Sequence, residues 1–90
     1  SKQNWRELPV SARIDGIRIQ GIIDAVYEDR NGQFHIIDYK TGVSNPQVYH
    51  PQLYLYAHSL RVSIGQNVAS ARLYYAQSGE IDSVPLPNHD

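Results

Sequence analysis

Ninety residues and 10.2 kDa allow one small domain over residues 1–90, not two. Eight Lys/Arg against nine Asp/Glu, a net charge of -1, exclude a strongly basic nucleic-acid clamp, though not a local basic surface. The absence of cysteine excludes disulfides, zinc ribbons and cysteine-ligated iron–sulfur clusters, and no apolar run approaches the ~20 residues that span a bilayer. With no methionine and no signal peptide, the chain reads as a piece of a longer intracellular, cytoplasmic polypeptide.

From Trp5 to Tyr27 two strands are predicted around Asp15-Gly16. Leu8, Val10, Ala12 and Ile14 alternate with polar residues before the turn, and Ile17, Ile19, Ile23 and Tyr27 do so after it. Pro9 has no N–H, so the first strand is an edge or is irregular there. A second turn falls at Asp29-Arg30-Asn31-Gly32. A third strand follows from Phe34 to Thr41, rich in β-branched and aromatic residues. Val43 to His50 reads as a loop. Pro51 then opens a helix in which Leu53, Ala57, Leu60 and Ile64 recur at helical spacing and Gly65 marks the end. Val68 to Ala76 is a fourth strand, and Ile81, Val84 and Leu86 suggest a short fifth. The order β-β-β-α-β(-β) predicts an α/β (α+β) domain with a mixed sheet, the helix making a crossover between parallel neighbours.

Turn chemistry bears on register. A two-residue type I′ turn at Asp15-Gly16 sets Ile14 opposite Ile17 and Glu7 opposite Asp24. Two registers are open at the second turn. A two-residue Asn31-Gly32 turn sets Asp24 opposite Tyr39; a three-residue Arg30-Asn31-Gly32 loop sets Asp24 opposite Asp38. The second needs positive φ only at the glycine, which favours it. In that register Glu7, Asp24 and Asp38 form a row across three strands, and Lys40 emerges on the face of Asp38. Adjacent carboxylates raise one another's pKa, and a divalent cation such as Mg²⁺ or Mn²⁺ resolves the repulsion. On the residues alone, solvated charges on an open sheet face are the commoner outcome. Glu28, Asp29 and Asp82 read that way.

The segment G-I-I-D-A-V-Y-E-D-R-N-G-Q-F-H-I-I-D-Y-K-T-G (21–42), followed by Q-L-Y-L-Y-A (52–57), resembles the PD-(D/E)XK nuclease superfamily. It is most similar to the RecB-like branch, found in exonucleases and at the C-terminus of helicase–nucleases. A G-x-I-D strand, a D-Y-K-T-G strand and a helical Q-x-x-x-Y recur there in this order. The resemblance implies a restriction-endonuclease-like core and supports the three-residue register. It implies that Asp24, Asp38 and the backbone carbonyl of Tyr39 bind Mg²⁺ or Mn²⁺, that Lys40 is the catalytic lysine, and that Gln52 and Tyr56 border the site. Helical spacing independently sets Gln52 and Tyr56 on one face. Glu7 stands where the branch often has a glutamate.

The branch usually carries a helix before the first strand, often with a metal-contacting histidine. This chain is expected to lack that helix, and His35, His50, His58 and His89 do not take its place. His35 reads as a strand surface residue and His50 as a helix cap or rim residue. Tyr54, Tyr74 and Tyr75 read as packing groups. Arg13, Arg18, Arg61 and Arg72 are candidate phosphate contacts without a visible cluster. The expected function is metal-dependent hydrolysis of DNA phosphodiester bonds in DNA repair or recombination, with a helicase or other domains of the same polypeptide as partners and no membrane. The rival readings are a nuclease-fold module that binds DNA or a partner domain without cutting, and a purely structural mixed-sheet domain.

Overall fold

A computed structural model describes residues 3–87. His89 lies outside them. The elements are β1 (Gln3–Ile14), β2 (Ile17–Glu28), β3 (Phe34–Lys40), α1 (Pro46–Ile64), β4 (Val68–Tyr75) and β5 (Ile81–Ser83). They form one five-stranded sheet in the order β1-β2-β3-β4-β5. All neighbours are antiparallel except β3 and β4, which α1 joins as a parallel pair.

Both early turns follow from their residues. Asp15 (φ 52°) and Gly16 (φ 79°) are both left-handed, as a type I′ turn demands, and Ile14 pairs with Ile17. In the second turn only Gly32 (φ 76°) is left-handed. Asp29 N–H donates to Gln33 O at 2.9 Å, Val26 pairs with Ile36, and Glu28 pairs with Phe34. The three-residue register is therefore the one adopted. Asp29 Oδ1 holds the loop by accepting the N–H groups of Asn31 (2.9 Å) and Gln33 (3.0 Å).

Strict alternation fails once in the long hairpin. Val10 and Ala12 are buried on β1, while Trp5, of opposite parity, packs its ring 5.9 Å from Phe34. On β2, Ile23 and Val26 are both buried, again of opposite parity. The switch falls at Glu7 and Asp24, between the Arg6–Ala25 and Leu8–Ile23 pairs. Glu7 has φ 51°, which twists the ribbon there. Each half of the hairpin can then turn its apolar side to the same core.

Helix α1 starts five residues before the predicted Pro51. Pro46 occupies the first helical turn, and Asn45 O accepts N–H bonds from Val48 and Tyr49, both at 3.1 Å. Pro51 lies inside the helix. Near the N-terminus it removes one intrahelical bond, that to Gln47, rather than breaking an established run. Gly65 (φ 70°) closes the helix as a left-handed cap, its N–H on Arg61 O. The helix lays Leu53, Ala57 and Leu60 on Val10, Ile23, Val26, Phe34, Ile36, Ala71, Leu73 and Tyr75 of the sheet. No helix among the described residues is long and apolar enough to cross a membrane.

Candidate active site

Asp24 and Asp38 fall opposite one another where β2 parts from β3. The last paired rung is Ala25 with Ile37. Beyond it the Tyr39 N–H finds no strand partner and donates instead to Asp24 Oδ2 at 2.9 Å. In an extended strand the N–H and C=O of one residue face the same neighbour, so the Tyr39 carbonyl opens into this gap as well.

Asp38 continues the inward row of Phe34 and Ile36 and is only 3% exposed. Burial pushes its carboxyl pKa up; the Lys40 ammonium opposes this, and the neighbouring Asp24 carboxyl adds to it. Lys40 Nζ lies 2.8 Å from Asp38 Oδ2 but off the hydrogen-bonding direction. That buried oxygen is therefore paired by charge with Lys40 and takes no well-directed hydrogen bond among the described residues. A buried carboxylate oxygen held only by an ion pair is the kind of ligand a hard divalent cation takes.

Helix α1 closes the other side. Lys40 Nζ donates to Gln52 Oε1 at 3.0 Å, and Gln52 Nε2 donates to the Tyr56 hydroxyl at 3.2 Å. Burial, and after it the charge of Asp38, raises the pKa of that hydroxyl. The ring of Tyr56 lies on Gly21 of β2, where an added Cβ would stand 2.6 Å from Cε1. Gln52 and Tyr56 thus face Lys40 and Asp38, as helical spacing anticipates.

Glu7 does not complete a row. Its left-handed backbone interrupts the ladder, leaving its side chain exposed beside Arg6, Asp24 and Tyr39 around an open cleft. The groups that perturb Asp38 are Lys40 and Asp24. Among the described residues no three acidic or histidine side chains converge. The expected triple of carboxylates is a pair.

Several other residues differ from expectation. His35 is not a plain surface residue: it stacks on Tyr27 at 4.6 Å and joins Ser70 Oγ (2.7 Å) to Asp29 Oδ2 (2.8 Å). That bond, followed by the Gln33 N–H, holds the half-buried Asp29 carboxyl below its usual pKa. Asp82, expected to be solvated, meets His50 Nε2 at 2.8 Å, which ties α1 to β5. Tyr75 is a core residue whose hydroxyl accepts the Asn45 N–H at 3.2 Å, whereas Tyr54 and Tyr74 are exposed. Arg13 and Arg18 are cross-strand partners near the hairpin tip, where Arg13 Nη1 donates to Gly16 O at 3.5 Å. One neighbour of Lys40 was missed altogether: the Tyr49 ring, its centroid 4.4 Å from Nζ. Its position counts as loop when the helix is started at Pro51, so no facing pattern reveals it.

The crossover helix between β3 and β4, set on a mixed sheet, defines a restriction-endonuclease-like α/β domain. The profile of the PD-(D/E)XK nuclease superfamily matches residues 1–86, and the chain belongs to that superfamily. The crystal structure of SSO0001 aligns with a TM-score of 0.68 over 96% of this chain and 44% of that one; at 19% identity this supports the fold alone. An ATP-dependent helicase/nuclease subunit from Moorella thermoacetica is 33% identical over 66 residues, covering 70% of this chain and 5% of its own length. The protein of that name from Thermoanaerobacter sp. is 32% identical over 88 residues, covering 90% of this chain and 7% of its own length. The Gene 69 protein of Mycobacterium phage L5 is 53% identical over 38 residues, 42% of this chain and 13% of its own length. The chain therefore spans a small part of each of these relatives.

Proposed function

We propose that this chain is a metal-dependent deoxyribonuclease module, exonuclease-like, that hydrolyses phosphodiester bonds. The observation that carries the reading is the buried Asp38 carboxylate, set beside Asp24 and ion-paired at 2.8 Å with the Lys40 ammonium. Asp24, Asp38 and the Tyr39 carbonyl are an all-oxygen set suited to Mg²⁺ or Mn²⁺. When bound, that cation supplies charge neutralisation at the phosphate and a more acidic water. Glu7 lines the same open cleft as Asp24 and Tyr39 without forming a three-carboxylate cluster with Asp24 and Asp38 among the described residues. Lys40 holds its positive charge where negative charge grows on the phosphoryl oxygens as water attacks phosphorus and the P–O ester bond breaks. Gln52 fixes the direction of Lys40, and Tyr56 fixes Gln52. The helicase/nuclease relatives support DNA as the substrate, helicase or other domains of one polypeptide as partners, and a cytoplasmic role in repair or recombination.

A second reading, a module that binds DNA without cutting it, is favoured by one observation: only two carboxylates converge among the described residues. Cleavage of end-labelled linear DNA with Mg²⁺, Mn²⁺ or EDTA separates the two. The nuclease reading expects cation-dependent cleavage that Asp38→Asn abolishes. DNA binding without cleavage under every cation refutes it.

A further inference from the structure

We infer that Tyr49 is a positioning residue for Lys40, an inference that rests on the nuclease reading above. Among the described residues, three groups surround the ammonium. Asp38 Oδ2 is 2.8 Å away, Gln52 Oε1 accepts a bond at 3.0 Å, and the Tyr49 ring presents its π-system 4.4 Å away. The first contact is unlike the others, since Asp38 Oδ2 is also the buried oxygen that a cation would claim. A lysine steered mainly by that oxygen would lose its direction when the carboxylate turns to a metal. Gln52 and Tyr49 are free of this conflict, because neither offers a charged oxygen. Gln52 gives one directed bond, and the ring gives an attraction without a fixed axis that needs no hydrogen-bond acceptor. Together they hold the ammonium from the helix side.

Tyr49 is itself well supported. Its ring packs 6.4 Å from that of Tyr75, which is fully buried and accepts the Asn45 N–H at the helix start. The early start of α1 at Pro46 is what brings Tyr49 over β3. The first turns of the helix are thereby coupled to the direction of a side chain on the third strand.

The test has two arms. The chain has only two lysines, Lys2 and Lys40, so the ε-methylene protons of Lys40 are easily assigned by NMR. In metal-free buffer they should be shifted upfield by the ring in the wild type and in Tyr49→Phe. In Tyr49→Leu they should return to the free-lysine position with the rest of the spectrum preserved. In the second arm, Tyr49→Leu should lower kcat for DNA cleavage by about tenfold with KM little changed. Tyr49→Phe should restore most of it. Replacing Tyr49 by phenylalanines of increasing fluorination, which weakens the ring's negative face at nearly constant shape, should lower kcat in graded steps.

An unshifted Lys40 in the wild type overturns the contact. Tyr49→Leu that loses the shift yet cleaves at the wild-type rate overturns the positioning role. Fluorinated rings that all cleave alike replace the cation–π account with simple packing and overturn the inference. A wild type with a shifted Lys40 that binds DNA but never cleaves it refutes the nuclease reading instead, leaving the contact itself established.

Discussion

Gly21→Ala is the sharpest perturbation of the helix–sheet contact that frames the site. An ideal Cβ at Gly21 stands 2.6 Å from Tyr56 Cε1, whereas carbon–carbon contacts settle at about 3.5–4.0 Å, so the ring must retreat by roughly 1 Å. Gly21 lies outside the left-handed region, so alanine meets no backbone strain and limits the unfolded chain, a gain of about 0.4–1 kcal/mol. Against this, overpacking of a rigid ring costs about 1–3 kcal/mol. The balance is a loss of about 1–2 kcal/mol, or a Tm lower by about 5–10 °C in a domain of this size. The retreat also carries the Tyr56 hydroxyl away from Gln52 Nε2, now 3.2 Å distant, and so loosens the amide that holds Lys40. Thermal unfolding followed by circular dichroism measures the first effect. A double-mutant cycle with Tyr56→Leu isolates it, since the alanine should cost almost nothing once the ring is gone. A Tm that rises in the single mutant, as for an ordinary strand Gly→Ala change, or equal losses in both backgrounds, would refute the close contact.

Asp38→Asn should flatten the pH dependence of metal-free stability. The folded-state pKa of Asp38 is raised above 3.8, so the folded chain binds the proton more tightly and stability falls as pH rises from below 3.8 through the raised value. Urea unfolding in EDTA across that range checks this, and an unchanged slope counts against it. Lys40→Ala should abolish cleavage while leaving Mn²⁺ affinity equal or higher, because it removes a positive charge 2.8 Å from a proposed ligand oxygen; calorimetric titration reads the affinity, and a large loss contradicts the assigned roles. Asp29 has the opposite sign to Asp38: its carboxyl is held below 3.8, so its contribution is present above that pH and is lost as pH falls through the lowered value. His35→Ala should remove most of that dependence, and a titration of Asp29 by NMR that does not move would show the His35 bond to be idle.

Local chemistry made much of this arrangement legible. Asp15-Gly16 fixed the first turn type, but Asn31-Gly32 left two registers open at the second; the single positive φ at Gly32, together with the family resemblance, chose the one that brings Asp24 opposite Asp38. Helical spacing put Gln52 with Tyr56, and Leu53 with Ala57 and Leu60. The helix start was not legible, because Pro46 and Pro51 are equally good first-turn residues locally. Tertiary contacts choose between them, through Tyr49 on Lys40 and Asn45 on Tyr75. Nor was the left-handed Glu7, since no neighbouring residue type demands it, and it turned an expected row of three into a pair. His35 with Ser70 and His50 with Asp82 are separated by more than thirty positions, beyond the reach of any local pattern.

The irregular first strand also bears on how this molecule avoids its own kind. β1 is an outer strand of twelve residues, long enough to offer a second chain a free row of backbone donors and acceptors. Because Ile14 and Ile17 form the bonded pair that closes the turn, Pro9 falls at an outward position, where its missing N–H leaves a gap in that row. The left-handed Glu7 bends the strand two residues earlier. The pairing is regular only in the stretches on either side, Gln3 to Arg6 and Leu8 to Ile14. At the opposite margin β5 has three residues and runs on to Pro85 and Pro87. Neither margin gives an incoming strand a long flat template, so the kink at Glu7 also guards the sheet against edge-to-edge aggregation.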